Sequence, residues 1–399
     1  MNTPLMHTGS AGDGKAAVRG ARVLVVDDIE ANRDLLVRRL ARLGITDVVQ
    51  ANDGRAALDV IHSRNFDLVL LDIMMPIMTG FDVLEALAAE GRIEQLPVIV
   101  ISAMGEMEAI VRAISLGAED FLLKPFDPIL LRARILPTLE KKQLRDRMRE
   151  ELARKQAELA EARSLQLALS PPPYRDERLG IDVVLEPARE VGGDLIDHLQ
   201  LDDQTHVLVL GDVSDKGAAA ALVMARTHAL VRGLAARPDA LVLFGDLGQV
   251  AAALNRELLA GNQNCMFVTM FIAVYQPAHG RLDYLRCGHV PPFLRRADGR
   301  IERLAAPGGP PLGIDEAAHY VAATVDIAPA DRLLVLSDGV TEAAAPDGEL
   351  FGDERVAAWL ATAPTKLESL VQAVRSHEAG AAASDDLAAL LLDTPISNA

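Results

Sequence analysis

From Arg22 onward, short apolar runs alternate with amphipathic stretches. RVLVVDD is a buried-strand run ending in two carboxylates, and IEANRDLLVRRLARLG repeats apolar residues at helical spacing before a glycine stop. DLVLLDIMMP, PVIVISA and DFLLKPF read as three more strands, and the weaker DVVQANDG sits between the first two. Strands alternating with helices in this way predict a doubly wound, parallel five-stranded α/β domain of about 120 residues.

Beyond Pro137 the pattern changes. EKKQLRDRMREELARKQAELAEARSLQLALS mixes charges of both signs and sets Met148, Leu152, Leu159, Ala162 and Leu169 on one 3.5-residue seam, interrupted by Lys155 and Gln166. It is either a short two-stranded coiled coil or a single solvated linker helix, and the prolines of PPPY (171–174) stop it. From Arg178 to Asp393, HVLVLGD, MFVTMFIAVY, RLDYLRCG, RLLVLSDG and LAALLLD predict strands. AAAALVMARTHALVRGLAA and DLGQVAAALNRELLAG predict helices, so this region is expected to be an α+β domain with β-sheets covered by helices. The expected layout of this multidomain α/β chain is a disordered tail at 1–20, an α/β domain at 21–138, a helical linker at 139–172 and the α+β domain at 173–394.

A chain of 399 residues is long enough for two or three cores. Its formal net charge of −17 opposes contact with nucleic acid, which needs an excess of lysine and arginine. Cys265 and Cys287 lack CxxC spacing, which argues against a zinc or disulfide framework and for a reducing, cytoplasmic compartment. No apolar run reaches the roughly 18 residues that a membrane span requires, and the first residues lack the apolar core of a signal peptide.

Candidate chemistry gathers at strand ends. Asp27, Asp28, Asp72 and Lys124 all close predicted parallel strands, where ligands bind in open α/β sheets. Three carboxylates together repel one another unless a cation such as Mg²⁺ sits among them, and Lys124 could pair with an added anion. Residues 22 to about 137 resemble the CheY-like receiver domains of response regulators: the acidic pair Asp27 and Asp28, Asp72, Ser102, Phe121, Lys124 before Pro125, and LGAEDFLLKPF all match. The resemblance implies that Asp72 accepts a phosphoryl group from a histidine kinase. It also implies Mg²⁺ at Asp27, Asp28, Asp72 and the Met74 carbonyl, with Ser102, Phe121 and Lys124 as switch residues.

In the second half, GDVSDKG is neither a Walker A loop, because KG is followed by Ala, nor a G-x-G-x-x-G fingerprint. It puts Asp212 directly after a buried strand. Asp194 follows two glycines in EVGGDLID, Asp338 ends a strand in LLVLSDG, and Asp385 and Asp386 precede the last strand. Acidic positions scattered around one sheet suit a pair of hard cations.

In order, AREVGGDLID, GDVSDKGAAAALVMA, MFVTMFIAVY, CGHVPPFL, PLGI, LLVLSDGVTEAAAPDGELFG and SDDLAALLL resemble the PPM-type serine/threonine phosphatases of the SpoIIE/RsbU-like branch. This resemblance implies two Mn²⁺ or Mg²⁺ ions held by Asp194, Asp212, the Val213 carbonyl, Asp338 and Asp385, activating a water rather than a protein nucleophile. Some relatives carry a histidine where Ser214 stands. His289 is then either a replacement acid or a structural turn residue, and Lys216 and Asp215 either touch substrate or are merely exposed. ARSLQLALSPPP resembles the regulatory helix that precedes such domains and helps to set the geometry of their metal site.

The implied whole is a cytoplasmic response regulator. Its substrate would be a phosphorylated anti-anti-sigma (STAS) protein in partner switching, and it would form a homodimer through receiver and linker. The rival is a non-catalytic, RssB-like adaptor that binds a sigma factor or anti-sigma partner; retention of all four aspartates favours catalysis.

Overall fold

The computed structural model describes residues 20–103, 107–262, 265–363, 366–381 and 383–395. The tail expected at 1–20 lies outside them except for Gly20. The chain divides into two units, Met1–Lys155 and Gln156–Ala399.

In chain order the first unit runs β1 (Arg22–Val26), α1 (Glu30–Arg42), β2 (Asp47–Ala51), α2 (Gly54–Ser63), β3 (Leu68–Asp72), α3 (Gly80–Ala89), β4 (Val98–Ala103), α4 (Met107–Ser115), β5 (Asp120–Lys124) and α5 (Pro128–Leu167). The strands form one sheet in the order β2-β1-β3-β4-β5, and every pairing is parallel. Successive residues of β1 face opposite sides, and both sides are buried. Val23 and Val25 pack with Leu36 and Leu40 of α1 and with Leu131 and Ile135 of α5. Leu24 and Val26 pack with Leu58 and Ile61 of α2 and with Val83 and Leu87 of α3. Burial on both faces is why these strands read as continuous apolar runs rather than as alternating ones. The expected five-stranded, doubly wound domain is what forms.

The stretch expected as a linker is continuous with the last helix of this unit. α5 runs for 40 residues through Pro137, and the division between the units falls inside it. Leu144, Met148 and Leu152 are exposed along it.

The second unit contains β6 (Tyr174–Arg175), β7 (Gly180–Glu186), β8 (Leu195–Asp202), β9 (Thr205–Val213), α6 (Ala218–Ala235), α7 (Ala240–Leu243), α8 (Leu247–Leu259), β10 (Val268–Gln276), β11 (Arg281–Cys287), β12 (Phe293–Arg295), β13 (Ile301–Arg303), β14 (Ala323–Asp326), β15 (Arg332–Leu336), α9 (Asp338–Thr341), α10 (Gly352–Ala361), α11 (Glu368–Glu378) and β16 (Leu387–Asp393). Two antiparallel sheets result, β14-β11-β10-β9-β8 and β13-β12-β15-β16-β7-β6.

Period-two alternation sorts their residues into layers. Leu208 and Leu210 of β9 meet Leu333, Val335, Leu390 and Leu392 between the sheets. Val207 and Val209 turn the other way, onto Met224 and Val231 of α6 and Leu254 of α8. Leu334, Leu336 and Leu391 face Val356, Leu360, Leu370 and Val374 of α10 and α11. The product is a sandwich of two sheets with helices on both outer faces. β12 and β13, three residues each, and the half-exposed β14 carry too little apolar signal to be found from the sequence.

Candidate functional site

In the first unit, three strand ends meet. Asp27 follows β1, Asp72 ends β3 and Lys124 ends β5. Asp27, Asp28 and Asp72 each bring a carboxylate oxygen within 4.8 Å of the others. The Lys124 ammonium lies 2.7 Å from Asp72 Oδ2 and 2.9 Å from Asp27 Oδ2.

Burial raises the pKa of Asp72, the ammonium opposes that, and the charge of Asp27 adds to it. Burial alone would lower the pKa of Lys124, but its hydrogen bonds to Asp72 and Asp27 outweigh burial and raise it. Ser102 is buried in β4, and Phe121 is half-buried with the Arg134 guanidinium 5.6 Å from its ring centre. The exposed Met74 contributes its backbone to a hydrogen bond with Asp72.

Sequence reasoning missed the residues that brace this cluster. Asn32 Nδ2 donates to both oxygens of Asp27, at 3.0 and 3.2 Å, and the Ile29 N–H donates to Oδ1 at 2.9 Å. Gly80 opens α3, where a Cβ would stand 2.4 Å from the Asp72 carbonyl oxygen, so the helix start seats directly on the strand end. An Asn five positions after an Asp was a signal of the first contact; nothing local marked the second.

In the second unit, Asp194 precedes β8, Asp212 lies in β9, Asp338 opens α9 after β15, and Asp385 precedes β16. Topology brings all four to one end of the two sheets. No three of them, however, place ligand atoms within 4.8 Å of one another, so their cradle is wider than the first cluster. Asp194 feels the charge of Asp212, and Asp212 feels the charges of Asp338 and Asp385. Asp194 is 1% exposed, and its Oδ2 has no hydrogen-bond partner.

Burial, and then the charges of Asp212 and Asp386, push Asp194 far above the ordinary carboxylate range. Burial, then Asp338 and Asp385, raise Asp212 to about 7. Burial also raises Asp338, with Glu342 and Asp385 adding to it. An orphaned buried oxygen inside a cluster of destabilised carboxylates is the environment that hard divalent cations relieve, so the residues fit such ions.

The neighbouring loop is held by two side chains. Asp386 is buried and accepts the Ala188 and Gly193 N–H groups at 2.7 and 2.6 Å. The Gln166 amide donates to the Gly192 carbonyl at 2.8 Å and accepts its N–H at 3.0 Å. A Cβ on Gly192 would fall 2.3 Å from Asp386 Oδ2, and one on Gly193 would fall 3.0 Å from the Val213 carbonyl oxygen.

Asp385 differs from its neighbour: it pairs with Lys216 at 2.9 Å while half-exposed. Lys216 also donates to the Ser384 carbonyl at 2.6 Å. Ser214 is committed to Phe267, whose N–H its hydroxyl accepts at 2.8 Å. A cavity of about 530 Å³ lined by Arg178, Tyr275, Asp326 and Thr394 lies at the opposite strand ends and holds none of the four aspartates.

The family model for the response regulator receiver domain matches residues 23–136. The chain is 36% identical over 120 residues to the chemotaxis protein CheY of Pseudomonas aeruginosa, covering 30% of this chain and 97% of that protein. The chain belongs to the response regulator receiver family. A second model, Stage II sporulation protein E (SpoIIE), matches residues 202–395, so a SpoIIE-type (PPM) phosphatase domain is fused to the receiver. Asp212, Asp338 and Asp385 lie within that match and Asp194 lies ahead of it.

Protein IcfG of Synechocystis is 28% identical over 260 residues, which is 58% of this chain and 40% of IcfG, so the chain spans less than half of that relative. The SiaA-PP2C domain of Pseudomonas aeruginosa superposes with a TM-score of 0.53 at 17% identity, covering 61% of this chain and 98% of that one, a likeness of fold.

Three substitutions check this geometry through stability. Gly80→Ala forces α3 off the end of β3 and should cost about 1–3 kcal/mol in urea unfolding of the receiver. Asp386→Ala strands two buried N–H groups and should lower the calorimetric transition of the SpoIIE-type domain by about 2–4 kcal/mol. Asp385→Ala should cost under about 1 kcal/mol, because its pair is half-exposed.

Proposed function

We propose that this response regulator dephosphorylates phosphoserine or phosphothreonine on a partner protein, using divalent cations at Asp194, Asp212, the Val213 carbonyl, Asp338 and Asp385. The observation that carries the reading is the buried, unpartnered Asp194 Oδ2 beside Asp212, a site that needs a cation before it can be fully ionised. When bound, Mn²⁺ or Mg²⁺ supplies charge neutralisation for phosphoryl oxygens and lowers the pKa of a water. The aspartates fix where those ions sit, and Asp386 and Gln166 hold the loop that presents Asp194. Lys216, tethered to Asp385, leaves a cationic group at the mouth where an anionic substrate arrives. Ser214 Oγ accepts the Phe267 N–H, which anchors the loop after Asp212 to the start of β10.

Control is assigned to the receiver. A histidine kinase passes its phosphoryl group to Asp72: an Asp72 oxygen bonds to phosphorus as the phosphohistidine N–P bond breaks. Asp27, Asp28, Asp72 and the Met74 carbonyl would hold Mg²⁺, while Lys124 and Ser102 would meet the added oxygens and Phe121 would respond. The exposed Leu144, Met148 and Leu152 of α5 support pairing of two copies through the helix. An anti-anti-sigma (STAS) protein is the proposed substrate, and the cytoplasm the proposed compartment. No helix among the described residues is long and apolar enough to cross a membrane.

With Mn²⁺ and a phosphoserine protein, wild type should release phosphate, and Asp212→Ala should fall at least about a hundredfold. Equal rates would sink the catalytic assignment. Beryllofluoride, a mimic of the phosphoryl group on Asp72, should change the rate or oligomeric state of wild type and leave Asp72→Ala unmoved. No response in either quantity would remove the receiver from control.

A further inference from the structure

His289 lies outside the cluster of aspartates, yet it is built into the same end of the sandwich. It is 3% exposed, and its Nδ1 is 3.2 Å from Thr269 Oγ1. Thr269 is the register partner of Asp212 across the β9–β10 ladder, so their side chains share one face, with Cβ atoms about 5 Å apart. Both are half-exposed at the strand ends, so the Thr269 hydroxyl stands between a buried ring and the cradle of carboxylates.

The ring is held firmly. Gly288 has φ +68°, its N–H donates to the Gly309 carbonyl at 2.8 Å, and a Cβ there would fall 2.5 Å from Pro311. The His289 carbonyl accepts from Arg286 at 2.8 Å. A turn residue of purely structural use would place its ring in solvent or pair both nitrogens. Here Nε2 is buried without a partner of full hydrogen-bond geometry.

A neutral imidazole has one nitrogen that donates and one that accepts. Burial keeps this ring neutral, and the Leu336 backbone is the group that favours a proton on it. With the ring proton on Nε2, Nδ1 is left as the acceptor for the Thr269 hydroxyl. A hydroxyl that donates to Nδ1 points its lone pairs away from the ring, toward Asp212.

Resting on the catalytic reading above, we propose that Thr269 is a catalytic residue and His289 its positioning residue: the Thr269 oxygen accepts a hydrogen bond from the attacking water beside Asp212. This aligns the water's remaining lone pair with phosphorus. The water oxygen bonds to phosphorus as the ester P–O bond breaks; one of the water's protons ends on the leaving oxygen and the other stays on the phosphate, so the products are hydrogen phosphate and the free seryl or threonyl hydroxyl. Thr269 keeps its own proton throughout, on the side of His289.

The test uses the full chain, Mn²⁺ and p-nitrophenyl phosphate. Thr269→Val and His289→Leu should lower kcat about tenfold to a hundredfold. KM, and Mn²⁺ affinity by calorimetry, should stay within about twofold, as expected when only water alignment is lost. Thr269→Ser keeps the hydroxyl and His289→Asn keeps an acceptor near Nδ1, so each should recover most of the loss. The double variant Thr269→Val/His289→Leu should be no slower than either single variant. Wild-type kcat in Thr269→Val, multiplied losses in the double variant, or losses that follow Mn²⁺ affinity would overturn the proposal.

An inactive wild type would instead defeat the phosphatase reading. In that case the tautomer decides the geometry independently: ¹⁵N NMR of labelled histidines should show His289 protonated on Nε2, and protonation on Nδ1 would refute the arrangement.

Discussion

Carboxylates confined at strand ends are the constraint on which both units depend. Parallel strands of the receiver and antiparallel strands of the SpoIIE-type domain each deliver several aspartates to one place, where burial and like charge raise the free energy of the ionised forms. The receiver answers with an internal cation: the Lys124 ammonium touches both Asp72 and Asp27. In the second domain the Lys216 ammonium pairs with the half-exposed Asp385, while Asp212 raises the pKa of Asp194 and neither of the two has an ion pair among the described residues. That difference leaves the first cluster partly neutralised from within and the second with buried carboxylates that no side-chain cation touches among the described residues.

Such sites need rigid surroundings, because a destabilised carboxylate would otherwise swing into water. The receiver supplies Asn32 and a glycine contact that seats α3 on β3. The second domain supplies Asp386 and Gln166, which grip opposite sides of the glycine pair ahead of Asp194. Glycine at 192 is required by space, since any side chain would enter the Asp386 carboxylate. Gln166, near the end of α5, is one hydrogen bond from the loop that holds Asp194.

The receiver strands, and β9, β10, β11, β15 and β16 with α6 and α8 of the second domain, were legible because buried strands read as apolar runs; β7, β8, α10 and α11 were not. RVLVV and THVLVL announce two-sided burial, and the four aspartates of the second site stood in recognisable order at strand ends. Short or half-exposed strands such as β12, β13 and β14 were not legible, because they make their hydrogen bonds with little apolar signal. The continuity of α5 through Pro137 was equally hidden: a proline argues locally for a break, while packing of Leu131, Ile135 and Leu139 holds the turns around it together.

By itself the sequence determined which chemistry was present: acidic strand ends, a lysine before a proline, two glycines ahead of an aspartate, and the residues of two families in order. Only the tertiary structure decided how the work is divided among neighbours of the same type. Asp385 and Asp386 are adjacent and chemically identical, yet one faces Lys216 at the site's mouth and the other is buried under two backbone N–H groups. Thr269 and Asp212 are far apart along the chain and meet only through the register of β9 and β10. Such roles come from which groups a fold desolvates together, and that is a property of packing between distant segments rather than of any local run of residues.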